Sequence, residues 1–582
     1  MKRILIYFSG FALFLSSCNN SNTHSDSEQR PKEAKGGRYY GGVFRLNESE
    51  YVKNLFPPSI TDAFSYRVST QIYEGLLKFD QANLKVINCL AEKYEVDPSG
   101  TLYTFHLKKG VMFHDDPCFN NGKGRELKAE DFKYCFTNLC TQTADNQQFS
   151  IFKGILKGAD AYYEASANGK KPRFEVEGIK VVDDYTLQLS LLRPNSILVY
   201  NLARPATFVY PREAFDKYGK EMRIKTVGTG PFHMESVDED ASIILKRHPY
   251  YHGTDQYGNA LPFLDAISIK FIKDKKTELF EFRKGGLDMI YRLPTDFIIE
   301  ILEESKNSDQ FVLDRSPEMI TQFLTFYNQG AIFKDKNVRK AFSFAIDRKK
   351  ILESVLNGEG EGPGEHGITP PTYADYKTDG IKGYTLNVDS ARYYLAKAGF
   401  PNGKGFPALS LDFNAEGSRN TNVAVEVQKQ LKDNLNVTVS LNVLPFSQLL
   451  EKSFDGKFDF LRAAWIADYP SPENFLWLFY GKQVPNSPNE RSFPNIARYK
   501  NAEFDRLYEA GLGAKSIEEA NNYFAKAEQV LMNDAPILVL WYDESYRLIQ
   551  SYVKNFPYNA MQYRDLSEVY FDQNKENLKQ GS

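Results

Sequence analysis

Strand-like and helix-like segments alternate between residues 408 and 465, and this order constrains the fold more than any other feature of the chain. Three apolar or alternating runs enclose two segments with helical spacing, at residues 408–414, 420–435, 436–443, 446–454 and 458–465. Strands that alternate with helices form a largely parallel sheet with helices on its faces. The sequence therefore predicts an α/β fold.

Length and composition narrow the possible functions. A chain of 582 residues is longer than one hydrophobic core usually supports, so we expect more than one domain. The net charge is −3 and no block of basic residues occurs, which argues against nucleic acid as a partner. The 36 tyrosines and 43 phenylalanines suit a large core and a cleft lined with aromatic rings.

The sequence contains no recognisable pattern of catalytic or metal-binding residues. His106 and His114 have no third ligand at a metal-site spacing, and His-Glu-x-x-His is absent, so we expect neither a metal nor a cofactor. Nucleophile elbow and oxyanion-hole motifs are absent too. We therefore do not expect an enzyme.

The last strand-like run leads into a carboxylate, Asp468. Pro470 and Pro472 follow and cannot continue a central strand, so the strand must end near this residue. Ligands of open α/β sheets bind beyond the carboxyl ends of strands, which makes Asp468 a candidate ligand-binding residue. Its spacing fits a turn residue equally well, and Trp465 could belong to the core.

The segment Trp465-x-x-Asp-Tyr-Pro-x-Pro-x-x-Phe475 resembles the family 5 extracellular solute-binding proteins, the oligopeptide- and dipeptide-binding receptors of ABC importers. Other segments resemble the family in the same order along the chain, namely Tyr73–Leu77, Leu102–His114, Leu127–Phe136, Thr226–Phe232 and Phe333–Arg348.

The resemblance implies a two-lobe fold of the periplasmic-binding-protein type (type II), with an additional inserted α/β domain. Lobe I would comprise residues 38–61, 185–317 and 537–582, the inserted domain 62–184, and lobe II 318–536. Two chain crossings would join the lobes and act as a hinge around the ligand.

The resemblance also implies a function: capture of short peptides in the interlobe cleft and delivery to ABC transporter permease subunits, by a monomer. Asp468 would hold the peptide's α-ammonium group, and the backbone of Ala464 and Ile466 would pair with the peptide main chain. Trp465 could wall a side-chain pocket. Arg462 could either meet a peptide carboxylate or form a buried ion pair. The remaining candidates are Tyr469, in the same motif, and Glu48 and Tyr51, which fit ordinary loop residues equally well.

Several alternatives stay open. A protein of this family could bind a nickel chelate, haem or an oligosaccharide instead, although the Asp468 carboxylate favours a ligand with an amine. It could also act as a peptide sensor that serves no importer. A surface lipoprotein hydrolase is a further class, which recognisable catalytic residues would support.

The first residues predict export. Residues 1–17 combine Lys2 and Arg3 with an apolar run too short to span a bilayer, which is typical of a signal peptide. Leu15-Ser-Ser-Cys18 resembles a bacterial lipobox, which implies that Cys18 is acylated and anchors the protein to a membrane of the cell envelope. Residues 18–37 are polar and predict a flexible tether. An exported protein permits disulfides, and the remaining cysteines allow three full pairings, among Cys89, Cys118, Cys135 and Cys140.

Overall fold

The computed structural model describes residues 32–239, 241–294, 297–373, 375–414 and 419–572. The strands are, in chain order, Lys32–Ala34 (β1), Arg38–Tyr40 (β2), Val43–Asn47 (β3), Leu77–Phe79 (β4), Val86–Asn88 (β5), Ala91–Val96 (β6), Leu102–Leu107 (β7), Ile179–Asp183 (β8), Thr186–Ser190 (β9), Phe232–Asp238 (β10), Ser242–Arg247 (β11), Ala266–Lys270 (β12), Met289–Tyr291 (β13), Phe311–Phe326 (β14), Gly362–Pro363 (β15), Leu409–Asn414 (β16), Val439–Leu444 (β17), Phe460–Ile466 (β18), Ile537–Gln550 (β19), Val553–Lys554 (β20) and Tyr570–Phe571 (β21).

The helices are Ala63–Ile72 (α1), Ala129–Leu139 (α2), Ala159–Ala165 (α3), Leu198–Asn201 (α4), Arg212–Tyr218 (α5), Lys275–Arg283 (α6), Ile298–Ser305 (α7), Lys336–Phe344 (α8), Arg348–Lys350 (α9), Val388–Lys397 (α10), Arg419–Leu435 (α11), Phe446–Asp455 (α12), Glu473–Leu476 (α13), Ala502–Leu512 (α14) and Ile517–Asp534 (α15). Local sequence starts several of them. The Asn387 side chain caps α10 and the Ser516 side chain caps α15.

A seven-stranded sheet runs through the molecule in the order β13-β19-β14-β18-β16-β17, with β15 added to β19. Its strands β16, β17 and β18 are the three predicted between residues 408 and 465, and α11 and α12 connect them. These strands pair in parallel, whereas β14 pairs antiparallel with both β18 and β19. The α/β prediction is confirmed, and the sheet is mixed because the long strands β14 and β19 enter it from the other lobe.

Two four-stranded sheets complete the α/β architecture. One has the order β10-β11-β12-β3 and the other the order β6-β7-β9-β8. The predicted boundary between residues 184 and 185 falls in the turn between β8 and β9. Since β9 pairs with both β7 and β8, residues 186–190 lie in one sheet with strands that the prediction assigns to the inserted domain.

The two crossings between the lobes are β14 and β19, which lie side by side in one antiparallel ladder. The register breaks between Pro317, which faces Glu544, and Thr321, which faces Tyr542. Beyond the break, Leu538 and Leu540 join the core cluster around Val338. We propose that the second crossing lies at Asp543 and not at the predicted boundary between residues 536 and 537, because Leu538, Leu540 and Trp541 of β19 pack in the core that contains Val338.

The amino-terminal end of the described chain is folded from Lys32 onward. Strands β1 and β2 form a hairpin, and the Lys35 N–H donates to the Asn259 side chain at 3.0 Å. Residues 32–37 of the tether predicted for residues 18–37 therefore have a hydrogen-bonded main chain, and the extent of the tether stays a prediction. The predicted signal peptide, Cys18 and the start of the tether lie outside the described residues.

The structure also bears on the cysteines and on membrane-spanning helices. Cys89, Cys118, Cys135 and Cys140 are free thiols, so the structure contains none of the three pairings. No helix among the described residues has the length and apolar character that a bilayer crossing needs.

Candidate ligand-binding site

Strand β18 has one edge that is only partly paired. Along its whole length it pairs antiparallel with β14, from Phe460 opposite Phe326 to Ile466 opposite Ile320. On its other side it pairs with β16 only at Phe460 and Leu461. In the described part of the chain, no strand therefore covers the second edge of residues 463–466. The two parallel strands diverge towards their carboxyl ends, where ligands of α/β sheets usually bind.

The main-chain groups of Ala464 and Ile466 face this open edge. The Ala467 N–H donates to the Met319 carbonyl at 2.9 Å, and the Tyr327 N–H donates to the Asp459 carbonyl at 3.0 Å. Bonds of an antiparallel ladder connect alternate residue pairs, so the odd-numbered residues of β18 bond to β14. The N–H and C=O groups of the even-numbered residues point away from it, in the direction that pairing with a peptide requires.

A cavity of about 390 Å³ lies beside this edge. Strands β14 and β18 form one wall, α12 forms the second, and residues 478–497 form the third. The lining is mostly apolar and includes Phe323, Phe446, Leu449, Phe454, Ala463, Trp465, Phe479, Phe493 and Ile496. Arg292 and Arg462 contribute positive charge to it. The sequence did not predict α12 or residues 478–497 as parts of the site, because their apolar residues have the spacing of ordinary core residues.

Asp468 lies just beyond β18 with a side chain that is about half exposed. Its backbone N–H donates to the Asn474 side-chain oxygen at 3.0 Å, and the Trp465 indole N–H donates to the same oxygen at 2.9 Å. Asn474, which is buried in α13, thus fixes both motif residues. It was not among the predicted site residues, although it stands inside the recognised motif, directly before Phe475.

The Asp468 carboxylate already has a cationic neighbour, since its oxygen lies 3.6 Å from the guanidinium of Arg204. Arg204 follows α4, on the opposite side of the interlobe contact from β18. A ligand ammonium group at Asp468 would therefore share the carboxylate with Arg204 or displace it.

Tyr469 belongs to the contact between the lobes and not to the cavity lining. Its ring stacks on Tyr200 at 5.9 Å, and Arg204 lies over it at 5.4 Å. Its hydroxyl donates to Glu473, as does the hydroxyl of Tyr508. Burial raises the pKa of the Glu473 carboxyl, although the two hydroxyl donors oppose the shift.

Arg462 connects the cavity to the crossing between the lobes. Its guanidinium donates to Asn414 at 3.1 Å and to Gln322 at 2.6 Å. Gln322 in turn donates to Asp543 at 2.7 Å. Arg462 therefore lines the cavity and is connected through Gln322 to Asp543, the residue at which β19 leaves lobe II.

Glu48 and Tyr51 lie apart from this site. Glu48 is buried, and its carboxylate forms ion pairs with Arg67 at 2.5 Å and with Arg564 at 2.6 Å. It is therefore part of a buried ion cluster and not a cleft residue. A ligand-binding role of Glu48 stays a prediction that these two ion pairs do not support. Tyr51 packs edge-on against Phe271 in lobe I, and its ring is not part of the cavity lining.

Comparison with known proteins gives a consistent result. The family described as "Bacterial extracellular solute-binding proteins, family 5 Middle" matches residues 85–487. The periplasmic oligopeptide-binding protein OppA of Salmonella typhimurium is 28% identical over 88% of this chain and 89% of its own. Heme-binding protein A of Haemophilus influenzae is 26% identical, over 94% of each chain.

Among solved structures, the DppA periplasmic binding protein of Helicobacter pylori in complex with the peptide STSA has the same fold. The TM-score is 0.73 at 24% identity, over 92% of this chain and 99% of that chain.

Proposed function

The chain belongs to the bacterial extracellular solute-binding proteins of family 5, and from this premise we propose that it captures short peptides beside β18 and delivers them to the permease of an ABC transporter. As a member of this family it is a solute-binding protein and not an enzyme. The oligopeptide-binding relative supports a peptide as the solute.

The open edge of β18 is the observation that carries the peptide proposal. A peptide loses water from its main-chain groups in a cleft, and each group left without a partner costs about 1–3 kcal/mol. The outward-facing main chain of Ala464 and Ile466 offers such partners without reading side chains. Asp468 stands at the end of the same strand, where it would accept the peptide ammonium group.

We further propose that the protein is exported and anchored in the cell envelope through an acylated Cys18. The lipobox-like sequence Leu15–Cys18 supports this proposal. Mass spectrometry of the membrane fraction, compared with a Cys18→Ser variant, tests it. An unmodified Cys18 in the parent would contradict it.

Calorimetric titration of residues 32–582 with a pool of tripeptides tests peptide capture, after partial unfolding has removed any co-purified ligand. We expect binding by the parent and a loss of about tenfold in affinity for Asp468→Asn, since an ammonium–carboxylate bond contributes about 1.5–3 kcal/mol. N-acetylated tripeptides should show the same loss on the parent protein.

The matched control is Asp184→Asn, which neutralises an exposed carboxylate in the turn after β8. It should bind like the parent. Absence of binding to every peptide would refute peptide capture. Full binding by Asp468→Asn would leave capture standing and refute the role of Asp468.

Haem is a second candidate because one relative is named a heme-binding protein. Titration with haemin under the same conditions distinguishes the two. Binding of haemin together with no binding of peptides would favour the haem function.

A further inference from the structure

We infer that the cavity beside β18 selects peptides by one bulky aromatic side chain, and that tyrosine fits it best. This inference rests on the proposed function, since it assigns the side-chain preference of the same peptide site. It concerns the side chains that line the cavity, which main-chain pairing does not use.

The first argument is the apolar character of the cavity and its mouth. Phe446, Ile466 and Phe493 line the cavity and are each more than half exposed. Large exposed apolar side chains around the mouth of a cavity are typical of ligand-binding sites. A volume of about 390 Å³ is at the low end for ligand pockets, which suits one large side chain and not a whole oligopeptide.

The second argument is the small residue on the cavity side of β18. Leu461, Ala463 and Trp465 stand on one face of the strand, because side chains alternate along it. Leu461 packs against Leu449 of α12, so this face is the one that α12 covers. Ala463 lies between two large neighbours and opposite Phe323 of β14. Its short side chain leaves room there for an inserted ring.

The third argument is a hydroxyl in the cavity wall. Thr325 lines the cavity, and its side chain is fully buried. Its oxygen has no hydrogen-bond partner among the described residues. Buried hydroxyls in proteins nearly always have a partner. A tyrosine hydroxyl at the inner end of an inserted ring would supply one, whereas phenylalanine would not.

The geometry also limits which residue of the peptide can insert. Ala464 precedes Asp468 by four residues, which is about 13 Å along a strand. A peptide whose ammonium group is at Asp468 therefore passes the cavity within its first four residues. The inserted side chain belongs to this amino-terminal part.

The test titrates the stripped parent protein with tetra-alanine and with tetrapeptides that carry one tyrosine, phenylalanine, lysine or glutamate at each position in turn. We expect one position at which tyrosine binds about tenfold more tightly than alanine, with phenylalanine about threefold weaker than tyrosine. Lysine and glutamate at that position should gain nothing.

Two variants connect the preference to the cavity. Ala463→Leu fills the hollow and should reduce the ratio of tyrosine to alanine peptide affinity to about one. Thr325→Val keeps the shape and should remove only the advantage of tyrosine over phenylalanine. Ala161→Leu is the control, because it adds the same bulk at an exposed position of α3 and should keep the parent ratio.

The outcomes are distinguishable. Binding of all peptides with equal affinity would overturn this inference and leave peptide capture intact, whereas absence of binding to any peptide would refute the proposed function itself. An aromatic preference that both cavity variants retain would overturn the assignment to this cavity. If Ala463→Leu does not fold, the peptide series on the parent and on Thr325→Val still decides the question.

Discussion

Glu361 is a residue whose protonation should control part of the stability of this protein. Its backbone N–H donates to the Tyr542 carbonyl at 2.9 Å, directly beside the crossing of β19 between the lobes. Burial raises the pKa of its carboxyl from 4.5 to about 7, and the nearby Glu544 adds to the shift. In the folded protein this carboxyl therefore titrates near neutral pH.

The direction of the resulting pH dependence follows from the two pKa values. Between pH 4.5 and about 7, the folded chain holds a proton that the unfolded chain has released. The contribution of Glu361 is complete below the unfolded pKa and is lost as the pH rises through the folded one. Glu361→Gln keeps a neutral side chain, so it should melt about 2 °C above the parent at pH 8 and together with it near pH 4.

Thermal melts followed by circular dichroism measure this difference. Glu92→Gln, on the exposed side of β6, is the control and should change neither melt. An equal effect of Glu361→Gln at both pH values would mean that folding does not raise the pKa of this carboxyl.

At the scale of residues, the sequence predicts local geometry better than partners. Asp468 could be located because the prolines after it end the strand within a few residues. Glu48 could not be interpreted, because one of its two arginine partners, Arg564, is 516 residues away in the chain. The role of Asn474 was missed for a different reason. An amide in a short helix carries no sequence pattern that separates it from a cap residue.

At the scale of elements, the two edges of β18 differ in how much of their length is paired with a neighbouring strand. The strands and helices of residues 409–466 were predictable, since their apolar spacing and turn residues are local. The open edge was not predictable from the strand itself, because it depends on β16 pairing at only two positions before the strands diverge. Sheet order and register are set by long-range packing.

Proline scanning of β18 tests which edge is open. Ala464→Pro removes an N–H that points away from β14, so we expect a folded protein with peptide affinity reduced by about tenfold. Ala463→Pro removes a donor to β14 and should cost at least about 1–3 kcal/mol of folding stability, because a buried carbonyl of β14 loses its partner. Thermal melts and peptide titration of both variants provide the comparison, and a greater loss of stability in Ala464→Pro would reverse our assignment of the edges.

At the scale of the whole molecule, the lobes touch through a small set of contacts across the cleft. The Ser196 N–H donates to the Leu512 carbonyl at 3.0 Å, Tyr200 stacks on Tyr469, and Arg204 lies near Asp468. These contacts stabilise the arrangement in which the lobes touch. A ligand that bridges the lobes also stabilises the arrangement in which they touch.

Tyr200→Ala should shift the equilibrium between this arrangement and an open one towards the open form. We expect a larger radius of gyration by X-ray scattering without peptide, and a peptide affinity reduced by about threefold to tenfold, since aromatic pairs contribute about 0.5–1.5 kcal/mol beyond their buried area. Tyr393→Ala, an exposed tyrosine on α10, is the control. Unchanged scattering together with unchanged affinity would show that this stack does not contribute to closure.

The pairing of β14 with β19 also determines when, during folding, the molecule can become a hinge. The two strands end and begin at Phe326 and Ile537, so nearly all of lobe II separates them in sequence. Contacts between such distant segments form late, because closing a long loop is entropically costly. Until β19 has been synthesised, β14 lacks its partner in this ladder, and a product truncated before Ile537 would leave that edge of β14 unpaired. Synthesis of β19 is thus a precondition for a hinge about which the lobes can open and close.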